Sequence, residues 1–235
     1  MSYSYIYDYN QNEKILVTDK TVDYGNSSFS KNGEIWEKKS LNYFYGLINK
    51  NDKVNIVDIG ANVGLYSLYA KYLPNSQFYS YEPFKFTYDL LNDNIKINNI
   101  TNVQTYNIGL SDKKGKTILN VCLSQDGLNT MGANPLRFND IHPVEVEIDT
   151  LDNIFYNNNI KVDFIKIDTE GYEYNILKGG EKTIKKYKPI IQLEYNLTNM
   201  KQCDINPEQL LNYINELGYK QHNIIDEELI IIPNL

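Results

Sequence analysis

Short apolar runs alternate with stretches of helical periodicity through most of this 235-residue chain. The runs with the length of buried β-strands are Val54–Ile59, Gln77–Tyr81, Val103–Asn107, Val162–Ile167 and Ile190–Leu193. Most of them are followed by residues spaced as on an amphipathic helix. Such alternation is typical of a parallel sheet that helices cover on both faces. The pattern therefore predicts an α/β fold.

The end of the chain breaks this alternation. The apolar segments YKQHNII and LIIIPNL are separated only by residues 226–228. A parallel crossover needs about a dozen residues or more, whereas an antiparallel hairpin needs only a short turn. The last strand is therefore predicted to run antiparallel to the rest of the sheet.

Two other regions lie outside this alternation of strands and helices. GEIWEKKSLNYFYGLI, residues 33–48, has helical spacing and follows a polar, Tyr-rich lead that we expect to pack over the domain edge. Residues 124–143, rich in Gly, Asn and Asp, separate two strand-like segments, and loops of that length are often lids or binding loops. A chain of this size supports one core. We predict a lead and packing helix over 1–50 and the main domain over 51–235.

Composition excludes several classes of protein. A net charge of -7 and a pI near 5.0 argue against affinity based on phosphate neutralisation, so long nucleic acid is not an expected partner. Two Cys and two His are too few for a disulfide framework or a Cys/His zinc cluster. His142, in the long loop, is more simply a bystander than a base. Without an apolar span or an export signal, we expect a soluble, cytoplasmic protein and no membrane contact.

The stretch IVDIGANVGLYSL joins an apolar strand to a helical start through two glycines. Such a turn lets a ligand approach the backbone at a helix N-terminus. The dinucleotide fingerprint fails, because Asn62 and Leu65 stand where it requires glycine. What remains is an acid-x-Gly-x-Asn-x-Gly turn from Asp58 to Gly64, which suits a carboxylate or amino group beside backbone N–H groups.

A second signal ends the next strand. In FYSYEP, Glu82 lies on the order of twenty residues beyond Gly60, where an acid can accept hydrogen bonds from both ribose hydroxyls and disfavours a 2′-phosphate. Each signal has a structural explanation as well, since Gly-rich turns permit close helix packing and strand-end acids cap helices. In this order and at this spacing, the two signals favour an adenosine-containing ligand.

Several segments together carry a family resemblance, over roughly residues 56–196. They are VDIGANVGLYSL, YEPFKFTYDLLNDNIKINN, YNIGLSDKKGKT, IDTLDNI and VDFIKIDTEGYEYNILKGG with KPIIQLEYN. The set resembles the FkbM family of S-adenosylmethionine-dependent methyltransferases. The resemblance implies a Rossmann-like class I methyltransferase fold, with a mostly parallel seven-stranded sheet and an antiparallel last strand. It also implies S-adenosylmethionine as cofactor and S-adenosylhomocysteine as product.

The resemblance further implies two groups of cofactor-binding residues. In the turn after the first strand, Gly60, Ala61, Asn62 and Gly64 would wrap the methionine end of the cofactor, and Asp58 would support that turn. The ends of the next two strands would hold the ribose and flank the adenine: Glu82, Pro83, Gly109 and Leu110. The assignment of Gly109 is less specific, because the family more often has Ala there.

Candidate catalytic residues follow the fourth parallel strand, where IKIDTEGYE places Asp168 and Glu170 beside the expected methyl group. Methyl transfer from a sulfonium is an in-line displacement, so the protein aligns donor and acceptor and deprotonates a hydroxyl. Asp168 and Glu170 are candidates for that task, and Glu194 could join them from the neighbouring strand. Alternatively, the dipole of a helix beginning near Gly171 favours these acids. Asp168 with Glu194 could also hold Mg²⁺, although no metal is expected.

We predict O-methylation of a hydroxyl on a sugar, glycan or small molecule. A second interpretation is a 2′-O RNA methyltransferase with a Lys-Asp-Lys-Glu set: Lys38, Asp168, Lys178 and Glu194. Acidic charge and the lack of aromatic–basic interleaving count against it. A third interpretation is a non-catalytic cofactor-binding protein of the same fold, and a fourth is a dehydrogenase. The acceptor stays open, because unrelated chemistries share this scaffold.

Overall fold

The structure is a computed structural model that describes residues 3–8, 14–18, 30–31, 34–35, 37–122, 128–132 and 141–234. Its strands are β1 (Tyr3–Asp8), β2 (Lys14–Thr18), β3 (Ser30–Lys31), β4 (Glu34–Ile35), β5 (Asn55–Ile59), β6 (Gln77–Tyr81), β7 (Val103–Tyr106), β8 (Gly109–Leu110), β9 (Gly115–Cys122), β10 (Ile141–Asp149), β11 (Phe164–Ile167), β12 (Ile190–Glu194), β13 (Tyr219–Ile225) and β14 (Glu228–Pro233). Its α-helices are α1 (Lys38–Gly46), α2 (Lys85–Ile97), α3 (Glu173–Gly179), α4 (Glu181–Tyr187), α5 (Leu197–Gln202) and α6 (Pro207–Glu216). A 3₁₀ helix spans Ser67–Tyr72, and a π-helical turn spans Asp152–Tyr156.

A seven-stranded sheet has the order β13-β14-β12-β11-β5-β6-β7. The five strands from β12 to β7 in this order are mutually parallel, and β14 pairs antiparallel with both β12 and β13. Asp226 and Glu227, which join β13 to β14, both have positive φ, as the tight hairpin turns that match strand twist require. The predicted mostly parallel seven-stranded sheet with an antiparallel last strand is confirmed.

Both faces of the sheet are covered, because successive side chains of its inner strands point to opposite faces. Ile56 and Phe164 belong to one buried apolar cluster, whereas their neighbours Val57 and Ile165 belong to another. The first cluster includes residues of α1, α2 and the 3₁₀ helix, and the second includes residues of α3 to α6. Within the described ranges, no helix is long and apolar enough to cross a membrane.

The N-terminal lead contributes β2 to the first cluster. Ile15 and Val17 are completely buried there. The amide of Leu16 donates to Asn98 Oδ1 at 2.9 Å, and Asn98 Nδ2 donates back to the Leu16 carbonyl at 2.7 Å. These bonds dock the backbone of β2 on α2. The division of the chain near residue 50 stays a prediction.

A second, three-stranded sheet has the order β8-β10-β9, and β9 and β10 form an antiparallel ladder. The ladder extends to the pair Ile141 and Cys122, so His142 is an exposed residue of β10 and not of a loop. Its predicted position in the long loop is wrong, because the strand pairing begins before it. Most of residues 124–143 lie outside the described part of the chain, and the prediction of a lid falls on them.

Gly179 and Gly46, each the last residue of a helix, provide a matched test of packing. A Cβ on Gly179 would lie 1.9 Å from the carbonyl oxygen of Ser111, whereas a Cβ on Gly46 would meet nothing within 4 Å. Gly179→Ala is expected to lower the free energy of unfolding by about 1–3 kcal/mol through overpacking. Gly46→Ala is expected to raise it by up to about 1 kcal/mol, since Ala favours helix. Urea denaturation of both variants measures the difference, and equal effects would contradict this packing.

Candidate functional site

The glycine turn begins with a close contact between two strand ends. Gly60 has a φ of 76°, and a Cβ on it would lie 1.9 Å from the carbonyl oxygen of Asp168. The amides of Gly60 and Ala61 both donate to the carbonyl of Tyr81 at 3.0 Å. Only glycine fits this conformation and this contact. The turn therefore joins the carboxyl ends of β5, β6 and β11.

The second half of the turn packs on α2. Asn62 and Gly64 have φ of 48° and 106°, and a Cβ on Gly64 would lie 2.8 Å from Leu91 Cδ1. Close helix packing, one explanation offered for the glycines, is therefore present. The helix that follows is a 3₁₀ helix over Ser67–Tyr72, which helical spacing alone does not distinguish from an α-helix.

Asp58 lies buried beneath the turn. Its Oδ2 accepts a hydrogen bond from Ser67 Oγ at 2.5 Å, and Ser67 Oγ lies 2.6 Å from Ser80 Oγ. Burial raises the pKa of Asp58 above its ordinary value, and Lys166 opposes that shift. Through Ser67, Asp58 anchors the 3₁₀ helix to the end of β5.

Glu82 connects the turn to the start of α2. Its Oε2 accepts from the amide of Asn62 at 2.9 Å, and its Oε1 accepts from the amide of Phe84 and from Thr87 Oγ1, each at 2.9 Å. Burial raises the pKa of Glu82 to about 7, against the opposing effect of these bonds. Glu82 therefore supports the first turn of α2, as the explanation that strand-end acids cap helices predicts. It also holds the glycine turn.

Asn107 supports the segment after Glu82 and was not predicted. Its Nδ2 donates to the carbonyl of Glu82 at 2.9 Å and to the carbonyl of Pro83 at 3.0 Å. The sequence signal was its position directly after a strand, at the edge where ligands bind in doubly wound sheets. A single Asn there is too common a feature to be singled out.

Gly109 and Leu110 form β8, which pairs with Ile148 and Asp149 of β10. Leu110 is 1% exposed and belongs to the second apolar cluster. A Cβ on Gly109 would lie 3.2 Å from Ile148 Cγ2. The structure thus gives both residues a packing role, and their predicted place beside an adenine stays a prediction.

A buried ion pair holds Asp168 at the end of β11. Lys166 is 3% exposed, its Nζ donates to Asp168 Oδ2 at 2.7 Å, and it lies 4.6 Å from the ring centre of Tyr66. Burial alone would lower the pKa of Lys166, but Asp168, Glu37 and Glu228 hold it above its ordinary value. Lys166 is therefore a fixed cation that orients Asp168.

This pair bears on the Lys-Asp-Lys-Glu interpretation. Lys38 and Lys178 are exposed on α1 and α3, and neither forms an ion pair within the described ranges. Lys178 Nζ lies 5.6 Å from the ring centre of Tyr174 instead. The lysine that the structure pairs with Asp168 is one that this interpretation did not include.

The structure brings the three predicted catalytic acids together. One carboxylate oxygen from each of Asp168, Glu170 and Glu194 lies within 4.8 Å of the other two, and we call this group the carboxylate triad. Asn199 Nδ2 donates to Glu170 Oε2 at 2.5 Å and to Glu194 Oε1 at 2.7 Å. Asn199, in α5, was missed because its contacts depend on how that helix packs.

Two further acids adjoin the triad and were also missed. Carboxylate oxygens of Glu37, Asp168 and Glu228 lie within 4.8 Å of one another. Glu228 reaches this edge because β14 runs antiparallel and pairs Glu228 with Glu194 at the end of β12. Burial raises the pKa of Glu194 and of Glu228 well above the ordinary value, and neighbouring acids raise both further. The edge therefore crowds acidic side chains together, and these two bind protons more readily than an isolated glutamate does.

The helix after the triad begins at Glu173, two residues beyond Gly171, near which the sequence predicted its start. Glu173 Oε1 accepts from the amide and hydroxyl of Thr169, each at 2.9 Å, which fixes the loop before the helix in a non-helical turn. Burial raises the pKa of Glu173 to about 7. The helix-dipole explanation therefore applies to Glu173, whereas Asp168 and Glu170 precede the helix.

Comparison with known proteins agrees with this architecture. The model of the Methyltransferase FkbM domain matches residues 58–220. Methyltransferase 1 of Beauveria bassiana (strain ARSEF 2860) is 26% identical over 186 residues, which cover 71% of this chain and 75% of the relative. Methyltransferase sdnD of Sordaria araneosa is 28% identical over 177 residues, which cover 63% of this chain and 68% of the relative.

Solved structures share the fold at lower identity. The FkbM methyltransferase of Methylobacillus flagellatus KT is 17% identical with a TM-score of 0.51, and the match covers 79% of this chain but only 44% of that one. Precorrin-6y C5,15-methyltransferase of Geobacter metallireducens GS-15 is 12% identical with a TM-score of 0.51, covering 89% and 94%. These likenesses show the class I methyltransferase fold. Because the family model matches residues 58–220, which are more than half of the chain, this chain belongs to the FkbM family of S-adenosylmethionine-dependent methyltransferases.

Proposed function

We propose that the protein transfers a methyl group from S-adenosylmethionine to a hydroxyl of a sugar, glycan or small molecule. The observation that carries the proposal is the carboxylate triad, which adjoins the glycine turn at the carboxyl edge of the sheet. Asp168 belongs to both features, since its main chain contacts Gly60 and its side chain belongs to the triad. A proton acceptor thus stands beside the proposed donor site.

The residues proposed to bind the cofactor lie at or after the carboxyl ends of the strands. The methionine end is placed at the turn of Asp58, Gly60, Ala61, Asn62 and Gly64, and the nucleoside at Glu82, Pro83, Gly109 and Leu110. Ligands of doubly wound sheets bind at this edge, where the chain reverses its direction across the sheet. Here the reversal lies between β5 and β11.

Glu82 limits how the ribose is held. An ionised carboxylate accepts about four hydrogen bonds, and Glu82 already accepts three from the protein. It therefore has room for one ribose hydroxyl, and binding the second requires one internal bond to open. The bond from Thr87 Oγ1 is the one to yield, because the single proton of that hydroxyl has an alternative acceptor in the carbonyl of Phe84, also at 2.9 Å.

In the proposed reaction, the acceptor oxygen forms a bond to the methyl carbon while the carbon–sulfur bond breaks. Sulfur takes the electron pair, and S-adenosylhomocysteine leaves as a neutral thioether. The hydroxyl proton passes to a carboxylate of the triad, for which Asp168 is the first candidate. Its fixed partner Lys166 aligns the carboxylate, so its orientation is set before the acceptor binds.

The acidic side chains at the carboxyl edge of the sheet also favour one chemical class of methyl acceptor over another. Five acidic side chains surround one lysine in the described part of this edge: Glu37, Asp168, Glu170, Glu194, Glu228 and Lys166. A polyanion such as RNA would be repelled there. The proposal therefore favours a neutral or cationic hydroxyl compound as the acceptor.

Calorimetric titration with S-adenosylhomocysteine, and separately with NAD, tests the proposed cofactor site. We expect saturable binding of S-adenosylhomocysteine and none of NAD, because the turn lacks the glycines of the dinucleotide fingerprint. Binding of NAD alone, or of neither compound, would contradict the proposed function.

Glu82→Gln tests the ribose assignment through pH. Because the pKa of Glu82 is raised to about 7, the side chain is protonated below that pH and must lose its proton to accept a ribose hydroxyl. Affinity for S-adenosylhomocysteine should therefore fall as pH drops from about 8 to about 5.5, by up to about tenfold per unit below 7. In Glu82→Gln this dependence should flatten, with affinity at pH 8 reduced by about 1 kcal/mol or more. An unchanged pH profile in the variant would remove Glu82 from the ribose site.

Asp168→Asn tests the proton acceptor. With an acceptor found by screening sugars and small hydroxylated compounds against a labelled methyl donor, we expect kcat to fall about 10²–10⁴-fold. The affinity for S-adenosylhomocysteine should change little, because the main chain of Asp168, which the substitution leaves in place, makes the close contact with Gly60. Circular dichroism checks the fold, since Lys166 loses its anionic partner. Glu145→Gln, at an exposed residue of β10, is the matched control, and unimpaired turnover in folded Asp168→Asn would make Asp168 structural.

A further inference from the structure

The carboxylate triad has the dimensions of a cation site. Its three oxygens lie within 4.8 Å of one another, and each comes from a different side chain: Asp168, Glu170 and Glu194. Oxygens bound to one Mg²⁺ or Ca²⁺ lie about 2.0–2.6 Å from the ion, so two of them are separated by at most about 5 Å. Three oxygens 4.8 Å apart would surround a point about 2.8 Å from each, so the carboxylates need to close by less than about 1 Å to contact a single ion.

Glu194 gives an independent indication of a missing ligand. Its side chain is 9% exposed, and its Oε2 is buried without a hydrogen-bond partner within the described residues. A buried carboxylate oxygen in that state costs free energy, and native proteins supply such atoms with a partner. A cation would supply that partner and would also offset the repulsion between the neighbouring carboxylates.

The surrounding hydrogen bonds hold the triad in place without neutralising it. Asn199 bridges Glu170 Oε2 and Glu194 Oε1 through its amide nitrogen, which fixes the distance between these two carboxylates. Lys166 supplies the neighbouring positive charge, and it is paired with Asp168 Oδ2. Within the described residues, Lys166 is the one cation that forms an ion pair with a carboxylate of the triad.

The neighbouring acid group is a weaker candidate because the protein already supplies its partners. Gln192 Nε2 donates to Glu228 Oε2 at 3.0 Å, and the hydroxyl of Tyr66 donates to Glu37 Oε2 at 3.3 Å. Only the triad combines close carboxylates with a buried oxygen that lacks a partner among the described residues.

We propose that the carboxylate triad binds one divalent cation with a preference for oxygen ligands, such as Mg²⁺ or Mn²⁺. Asp168, Glu170 and Glu194 are its protein ligands, and Asn199 is a positioning residue. The role of the ion rests on the proposed function. There it would bind the acceptor hydroxyl and lower its pKa, and the proton would pass to a triad carboxylate oxygen that does not contact the ion. Binding of the ion itself does not depend on that function.

Titration of metal-stripped protein with Mn²⁺, followed by the electron paramagnetic resonance of the free ion, tests the site without cofactor or acceptor. We expect one saturable site per chain and displacement of Mn²⁺ by Mg²⁺. Glu194→Gln should weaken Mn²⁺ binding by at least about tenfold, since even residues that only support metal ligands cost that much when changed. Glu170→Gln, at a less buried position, should have the same effect. Glu145→Gln, which removes an exposed acid paired with Lys116, should bind Mn²⁺ like the parent chain.

The proposal is overturned if the parent chain shows no saturable Mn²⁺ binding, or if folded Glu194→Gln and Glu170→Gln both bind Mn²⁺ as tightly as the parent. Calorimetry with S-adenosylhomocysteine on the same samples separates this outcome from failure of the methyltransferase proposal. Mn²⁺ binding without S-adenosylhomocysteine binding would support the cation site and contradict the proposed function. The reverse result would leave the proposed function and remove the cation site.

Discussion

The site depends on the contact between Gly60 and the main chain of Asp168. The amide of Asp168 donates to the carbonyl of Ile59 at 3.0 Å, and a Cβ on Gly60 would lie 1.9 Å from the Asp168 carbonyl oxygen. This contact joins β5 to β11 at the place where the sheet reverses direction. The chain leaves β5 toward β6 on one side and leaves β11 toward β12 on the other. The glycine turn and the acidic edge are therefore adjacent because two strand ends meet without a side chain between them.

The acidic edge is electrostatically costly, and the fold restrains it by a few specific contacts. Burial and mutual repulsion raise the pKa of Glu194 and of Glu228, so both would prefer to hold a proton. Lys166 offsets part of this cost by its ion pair with Asp168, and Asn199 offsets another part by donating to two carboxylates. A hydrophobic replacement would often be at least as stable as such a buried ion pair. The arrangement is thus better explained by function than by stability.

Much of the fold could be predicted because it depends on local patterns. The central strands and the terminal hairpin follow from apolar runs and the length of their connections. Asp168, Glu170 and Glu194 were found because acids at the carboxyl ends of parallel strands meet at one edge.

Asn199, Glu37 and Glu228 could not be found in this way. Their roles depend on the packing of helices and on which strand the hairpin joins, and neither leaves a periodic signal. Glu82 was predicted to bind the ribose, and the structure gives it a supporting role as well, since it accepts three hydrogen bonds from the protein. Asp58 was predicted to support the turn, and it accepts a hydrogen bond from Ser67. A motif reveals that an acid is needed at a position, but binding a ligand and supporting the loop that binds it both require a buried acceptor near the same backbone amides.

The proposed cation site changes what the acidic edge does to the reaction. In the proposed reaction, an acidic edge beside the turn would stabilise the positively charged sulfonium of the donor, whose charge is dispersed as the methyl group moves. Stabilising that charge in the ground state opposes the chemical step, because only interactions that strengthen in the transition state accelerate it. A divalent cation held by Asp168, Glu170 and Glu194 would neutralise part of the edge and favour loss of the acceptor hydroxyl's proton. The same three carboxylates would then attract the charged donor without the ion and activate the acceptor with it.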